Sequence, residues 1–313
     1  MRLSVALALL FLVAAGASPA AAAVPATPPP VSAGASVLMY HHIASPGRGM
    51  SAADTQYFVD PATFDQQLFY LLSNGYNVVT PDQIVDSLTG GAELPPRAVA
   101  ITIDDGWQDF WQNGLPVLKK YALPATIFAI ADADKGLYMN PAERWALAHS
   151  GVTVEAHSLT HPFLTRLLPA IANAEIANSR RALEKELGLP VTIFAYPYGD
   201  LNKPVQAMVQ AAGYRAAFAA GPSTDETSAN LLALPRVMVS YYDTPQTFAQ
   251  KAADYRWARS HFTPLPAPPR PMALPAVALP APLPAPAPAP AAVQPATVAP
   301  PIDDWAQETP PSP

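Results

Sequence analysis

Cysteine is absent from all 313 residues. That excludes a disulfide framework, thiol catalysis and a lipid attached through sulfur. Any metal held by this chain must therefore be bound by imidazole and carboxylate. Charge is also scarce, at 13% of residues with a net charge of −6. Phosphate recognition needs a basic face, so nucleic acid is set aside as a partner. Histidine occurs only six times, which makes the placement of each one informative.

Proline, by contrast, is in excess, and its distribution divides the chain. Of 39 prolines, 18 fall in the last 50 residues in an Ala/Pro alternation (PLPAPAPAPAA) with neither helical nor strand period. Residues 263–313 are expected to be a disordered polyproline-II-like tail, serving as a spacer, as an arm for a cell-envelope partner, or as a functionless extension. At the other end, MRLSVALALLFLVAAGASPAAAA carries Arg2, an apolar run from Leu3, and small residues at Ala21, Ala22 and Ala23. This is the three-part pattern of a secretory signal peptide over 1–23, and it predicts export to a periplasmic or extracellular space. The alternative is a membrane anchor, but the apolar run falls short of the roughly 20 residues a span requires. A linker at 24–35 and one domain at 36–262 complete the expected organisation, and that length suits a single α/β barrel.

Within the domain, β-type runs alternate with helical ones. VLMYH (37–41), AVAITI (98–103), ATIFAI (125–130), VTVEA (152–156), VTIFAY (191–196), RAAFAA (215–220) and RVMVS (236–240) read as strands. Several are apolar on both faces, as parallel strands covered by helices should be. Asp60 and Pro61 start a helix that ends near Gly75, with Phe64, Leu68, Leu71 and Leu72 on its inner face. Further helices are expected over 113–122 and 169–187. This alternation implies a parallel barrel or an open parallel sheet, and in both the chemistry lies beyond the C-terminal strand ends.

Polar residues collect at those ends. Asp104, Asp105 and Gly106 follow AVAITI directly; Asp-Gly is also ordinary turn chemistry. His157 follows VTVEA and His161 lies four positions later, close enough to share one ion, although a structural pair is the plain alternative. One Asp and two His would make a three-ligand divalent site with an open position for water. FAYPYGD (194–200) breaks a strand at Pro197 and Gly199, which frees backbone N–H groups or simply forms a loop. YHHI (40–43) places two histidines at the end of the first strand, one facing the mouth and one turned away. Trp107 and Trp111 suit either a sugar platform or helix anchoring, and Glu155 either support for His157 or a structural carboxylate.

These residues resemble the polysaccharide deacetylases (carbohydrate esterase family 4, NodB-like). IDDG at 103–106, HSLTHP at 157–162 and AYPYG at 195–199 are similar to the family's three motifs, in order, within a resemblance spanning about 36–260. YHHI ahead of the first motif is similar to the permuted branch that includes biofilm poly-β-1,6-N-acetylglucosamine deacetylases. The resemblance implies a distorted (β/α) barrel of about seven strands and a metal-dependent N-deacetylase acting on an N-acetylglucosamine-containing polysaccharide. It implies Asp105, His157 and His161 as ligands of a divalent cation, zinc first, with nickel or cobalt also suited. It further implies Asp104 as base, His41 as acid with His42 as fallback, and the Tyr198 backbone N–H as oxyanion donor.

One departure stands out: the third motif ordinarily opens with an Arg that orients the catalytic Asp, and here that position is Ala195. Arg236, in LPRVMV, is the candidate replacement. The same motifs also serve O-acetyl xylan esterases and small-amide hydrolases, and a non-catalytic carbohydrate-binding scaffold is a third reading.

Overall fold

Every strand ladder among the described residues is parallel, so each connection must cross back over the sheet, and helices make most of the crossings. The structure is a computed structural model describing residues 33–133, 136–221 and 227–253. The expected signal peptide at 1–23, most of the linker, and the tail at 263–313 lie outside the described residues. The strands are β1 (Ala35–Tyr40), β2 (Asn77–Val79), β3 (Ala98–Asp105), β4 (Ala125–Ala129), β5 (Val152–Ala156), β6 (Ile193–Ala195), β7 (Ala216–Phe218) and β8 (Val237–Met238). Seven form one path, β7-β6-β5-β4-β3-β1-β8, as the resemblance implies. The eighth, β2, was not anticipated: it pairs with Ala98–Ala100 of β3, on a strand whose later residues, Thr102–Asp105, pair with β4.

Residues 231–239 join the two ends of this path. Leu234 exchanges backbone hydrogen bonds with Ala217 and Ala219 beside β7, at 2.9 and 2.7 Å. A few residues on, Val237 and Met238 pair with Leu38 and Met39 of β1. The sheet is thereby curled into a distorted barrel, and Arg236 sits within the joining stretch.

The period of two along the strands separates an inner from an outer core. Ala98, Ala100, Phe128, Ile193, Ala195, Ala216 and Phe218 pack together inside the barrel. Val99, Ile101, Ile103, Ile127 and Val154 pack outward against the helices. Asp104 follows the inward set of β3, two residues beyond Thr102.

The helices are α1 (Ala52–Thr55), α2 (Pro61–Ser73), α3 (Pro81–Leu88), α4 (Leu115–Tyr121), α5 (Pro141–Ala148), α6 (Pro169–Leu187), α7 (Lys203–Ala211) and α8 (Pro245–Ala252). Proline at the first turn of most of them accounts for part of the domain's proline content, because a missing N–H costs nothing there. Helix α6 has the predicted bounds, ended by left-handed Gly188. Two expectations change. In α2, Phe64, Leu68 and Leu71 are buried but Leu72 is 39% exposed, since one residue rotates it about 100° off the inner face. The helix expected over 113–122 instead begins as a π-helical stretch, Phe110–Gly114, before α4. Gly114 lies against Phe110, and a Cβ there would come within 2.5 Å of the ring.

Candidate active site

Strand ends and the joining stretch converge on one cavity of about 360 Å³ at the C-terminal mouth of the barrel. It is lined by His41 and His42 after β1, Asp104 and Asp105 of β3, and Trp107. His157 and His161 after β5, Tyr198 after β6, and Arg236 before β8 complete the wall. The seven residues to which catalytic or metal-binding roles were assigned, His41, Asp104, Asp105, His157, His161, Tyr198 and Arg236, therefore meet in one place.

The Asp pair is divided by a backbone reversal. Asp105 has φ +70° and Gly106 φ +82°, so the strand stops abruptly and the two carboxylates point in different directions. Asp104 faces inward, 2% exposed. It receives a bidentate clamp from Arg236, Nη1 to Oδ1 at 2.5 Å and Nη2 to Oδ2 at 2.7 Å. Burial pushes the Asp104 carboxyl upward, but the guanidinium, and then His157, outweigh it and hold the group at about 2. Arg236 is itself buried; its Nε donates to the Ala219 carbonyl at 3.2 Å and its guanidinium lies 5.0 Å from the Phe128 ring centre. Ala195, the position of the missing motif Arg, belongs to the same inner cluster as Phe128.

Asp105 behaves differently. Its Oδ2 accepts a hydrogen bond from the Trp107 indole at 2.9 Å, whereas its Oδ1 is buried without a hydrogen-bond partner. That orphan oxygen lies 3.5 Å from His157 Nε2 and 3.3 Å from His161 Nε2. Bond lengths of about 2.0–2.2 Å in tetrahedral geometry put two ligand atoms roughly 3.4 Å apart. The three ligand atoms also lie within 4.8 Å of one another. The Asp–His–His set thus fits a divalent cation, and the fit explains an acceptor that would otherwise be a costly vacancy.

The histidines are prepared for such a role. His157 Nδ1–H donates to the Ala195 carbonyl at 2.9 Å, which fixes the tautomer and leaves the Nε2 lone pair facing Asp105. Burial lowers the His157 imidazole to about 3, against the pull of Asp104, and burial lowers His161 as well, so both are neutral near pH 7. Asp105 is raised, first by burial and further by Asp104, with His41 opposing.

Two ring stacks form the walls. On one side Phe58, His42, Trp107 and Tyr138 succeed one another at 4.2, 4.2 and 4.3 Å, and Asp109 Oδ2 holds His42 Nδ1 at 2.6 Å. On the other, Tyr198 lies over Phe163 at 3.9 Å and beside His161 at 4.5 Å. His41 packs edge-on against Tyr57 at 4.9 Å, and its buried Nδ1 has no hydrogen-bond partner. Strand alternation does not turn His42 away as expected; both histidines border the cavity, His42 engaged and His41 uncommitted.

Glu155 takes the structural alternative: its Oε2 accepts the Thr192 and Ile193 N–H groups at 2.9 and 2.8 Å, at the start of β6. Trp107 borders the cavity, whereas Trp111 packs on the outer core. Sequence reasoning passed over Tyr57, Phe58, Asp109, Tyr138 and Phe163. They carry no motif, and only the fold brings Tyr57 and Phe58 to the cavity and sets Asp109, Tyr138 and Phe163 against His42, Trp107 and Tyr198.

An Asp–His–His cluster beside a clamped carboxylate, at the mouth of a parallel barrel, defines the class: a (β/α)-barrel hydrolase. Comparison with known proteins narrows the class. A family profile described as "Polysaccharide deacetylase" matches residues 91–217. YxkH of Bacillus subtilis (strain 168), which bears the family's name, is 30% identical over 205 residues, 65% of this chain and 71% of that protein. The poly-beta-1,6-N-acetyl-D-glucosamine N-deacetylase of Staphylococcus aureus is 24% identical over 199 residues, 59% of this chain and 68% of that protein. Among solved structures, the Streptococcus pyogenes deacetylase PplD in complex with acetate superposes with a TM-score of 0.63 at 25% identity, covering 72% of this chain and 99% of that one. IcaB from Ammonifex degensii superposes with a TM-score of 0.61 at 26% identity, covering 70% and 95%. The chain belongs to the polysaccharide deacetylase family. The matched stretch 91–217 contains the three motifs but neither His41 nor Arg236.

Proposed function

We propose that this protein is an exported, metal-dependent N-deacetylase that removes acetyl groups from a polymer containing N-acetylglucosamine and releases acetate. The observation that carries the reading is the unpartnered Asp105 Oδ1 facing two neutral imidazoles, 3.3 and 3.5 Å away, next to a carboxylate kept ionised by Arg236. One solved relative is named as a deacetylase and has acetate bound, and a Staphylococcus aureus relative is named for poly-beta-1,6-N-acetyl-D-glucosamine. Export rests on the leader pattern of residues 1–23, and no helix among the described residues is long and apolar enough to cross a membrane.

Asp105, His157 and His161 would hold the cation. A divalent ion bound there would supply Lewis acidity, lowering the pKa of a water toward about 7 and polarising the acetyl carbonyl. Asp104, ionised and aimed by Arg236, takes the proton of the attacking water. Tyr198, at φ +59° in the turn Pro197–Gly199, offers its backbone N–H to the developing oxyanion. His41 delivers a proton to the departing amine. Burial holds its imidazole below the usual value, against Asp104 and Asp105, so a proton it acquires is readily surrendered. Tyr198, 56% exposed at the cavity rim, gives a sugar ring an apolar surface to lie against, whereas both faces of Trp107 are covered by His42 and Tyr138.

The test is acetate release from poly-N-acetylglucosamine, chitin oligomers, peptidoglycan and acetyl-xylan, with and without chelator. Chelator-sensitive release from an N-acetylated polymer supports the reading. Release from acetyl-xylan alone overturns the substrate assignment, and chelator-resistant release overturns the metal.

A further inference from the structure

The loop His157–His161 carries two of the three ligand side chains, yet no group in the cavity accounts for its shape. Ser158 has φ +65° and His161 φ +64°, and neither is glycine. Side chains crowd the backbone in that region, so such conformations persist only where surrounding contacts fix them. His161 N–H donates to Ser158 Oγ at 2.9 Å, and the Ala131 and Asp132 N–H groups donate to the Ser158 and Leu159 carbonyls at 3.1 and 2.9 Å.

The segment between the two histidines is held further by a residue outside the cavity. Glu175, on α6, is 9% exposed. Its Oε2 accepts the N–H of Leu159 at 3.0 Å and of Thr160 at 2.8 Å, while its Oε1 accepts the Thr160 hydroxyl at 2.7 Å. Both carboxylate oxygens are thus spent on the segment between the two histidines. A carboxylate accepts at both oxygens, and an amide of the same shape presents one acceptor and one donor group. Glutamine can still match this pattern, its single oxygen accepting both N–H groups and its N–H₂ donating to the Thr160 hydroxyl, so alanine is the substitution that releases the loop.

We propose that Glu175 is a positioning residue for the metal site: by holding Leu159 and Thr160, it sets the orientation from which His161 reaches the ion. The inference rests on the reading of Asp105, His157 and His161 as a cation site. A purely structural role, docking α6 on the barrel, would lower stability and leave the affinity of the folded protein for metal unchanged.

Co²⁺ titrated into the metal-free full chain, followed by visible absorption, separates the two. Glu175→Ala is expected to weaken Co²⁺ binding about tenfold or more, the range seen when outer-shell partners of metal ligands are changed, and to alter the absorption band. Ser179→Ala is the control. It removes a buried hydroxyl on the same helix, bonded to the Ile176 carbonyl at 2.8 Å and away from the loop. It should lower the thermal midpoint while leaving the Co²⁺ Kd within about twofold, inside the scatter expected when no outer-shell contact is lost. A folded Glu175→Ala with the parental Kd, or an equal weakening in Ser179→Ala, overturns the proposal. Should Glu175→Ala not fold, Thr160→Val removes the hydroxyl contact alone and is expected to weaken binding severalfold; a parental Kd there also overturns it. If the unaltered protein takes up neither Co²⁺ nor Zn²⁺, the site reading itself falls, and this inference with it, before any substitution is made.

Discussion

Replacing Arg236 with alanine should reverse the way stability responds to acid. In the unaltered protein Asp104 sits at about 2, against an ordinary 3.8. At about 1.4 kcal/mol per pKa unit, the ionised carboxylate contributes on the order of 2 kcal/mol to stability. A depressed carboxyl contributes fully above its unfolded pKa and loses the contribution as pH falls through the folded one, here between about 4 and about 2. Arg236→Ala removes the strongest opponent of burial, so the Asp104 pKa moves upward. Breaking one side of a buried ion pair costs roughly 3–5 kcal/mol, a large part of the 5–15 kcal/mol typical of a domain. In the variant, protonating Asp104 relieves that cost, so mild acid should stabilise it relative to pH 7. The assay is urea denaturation of metal-free protein at pH 7, 5, 4 and 3 for both forms, with kcat/KM measured alongside. Parallel stability curves would refute the argument about Asp104, and an unchanged kcat/KM would remove Arg236 from the site. Arg236→Lys should rescue only in part, because an ammonium cannot reproduce the two-point contact.

Asp104→Asn should retain bound metal and the fold while losing turnover by about a hundredfold or more, the scale of a missing general base; metal content by mass spectrometry beside acetate release checks this. Asp105→Asn or His157→Ala should abolish metal retention, seen as loss of chelator-reversible stabilisation in thermal melts. His41→Gln should lower kcat at an unchanged metal content, whereas equal loss on His42→Gln alone would move the acid to His42. Glu155→Ala should cost about 2 kcal/mol, because two backbone N–H groups at the start of β6 lose their acceptor, with Co²⁺ affinity unaffected.

The alternation of apolar strands with proline-started helices, the strand-end position of the Asp pair and the spacing of His157 and His161 are local properties, and the sequence alone is enough to read them. They point to a parallel α/β domain with its chemistry at the strand ends. Shorter elements escape such reading: β2 has three residues and α3 eight, too few for a period to stand out, although Thr80 and Gln83 do form a capping box. Tertiary structure decided the rest. Arg236 stands 132 residues from Asp104 in the chain, and only the stretch joining β7 to β1 carries its guanidinium inside the barrel. Asp104 and Asp105, adjacent in sequence, part company because a left-handed residue at the strand end sends one carboxylate inward to arginine and the other toward two imidazoles. Which of two neighbouring histidines is engaged by a carboxylate and which stays uncommitted likewise depends on Phe58, Trp107 and Asp109, whose approach is a matter of packing in space and leaves no periodic trace along the chain.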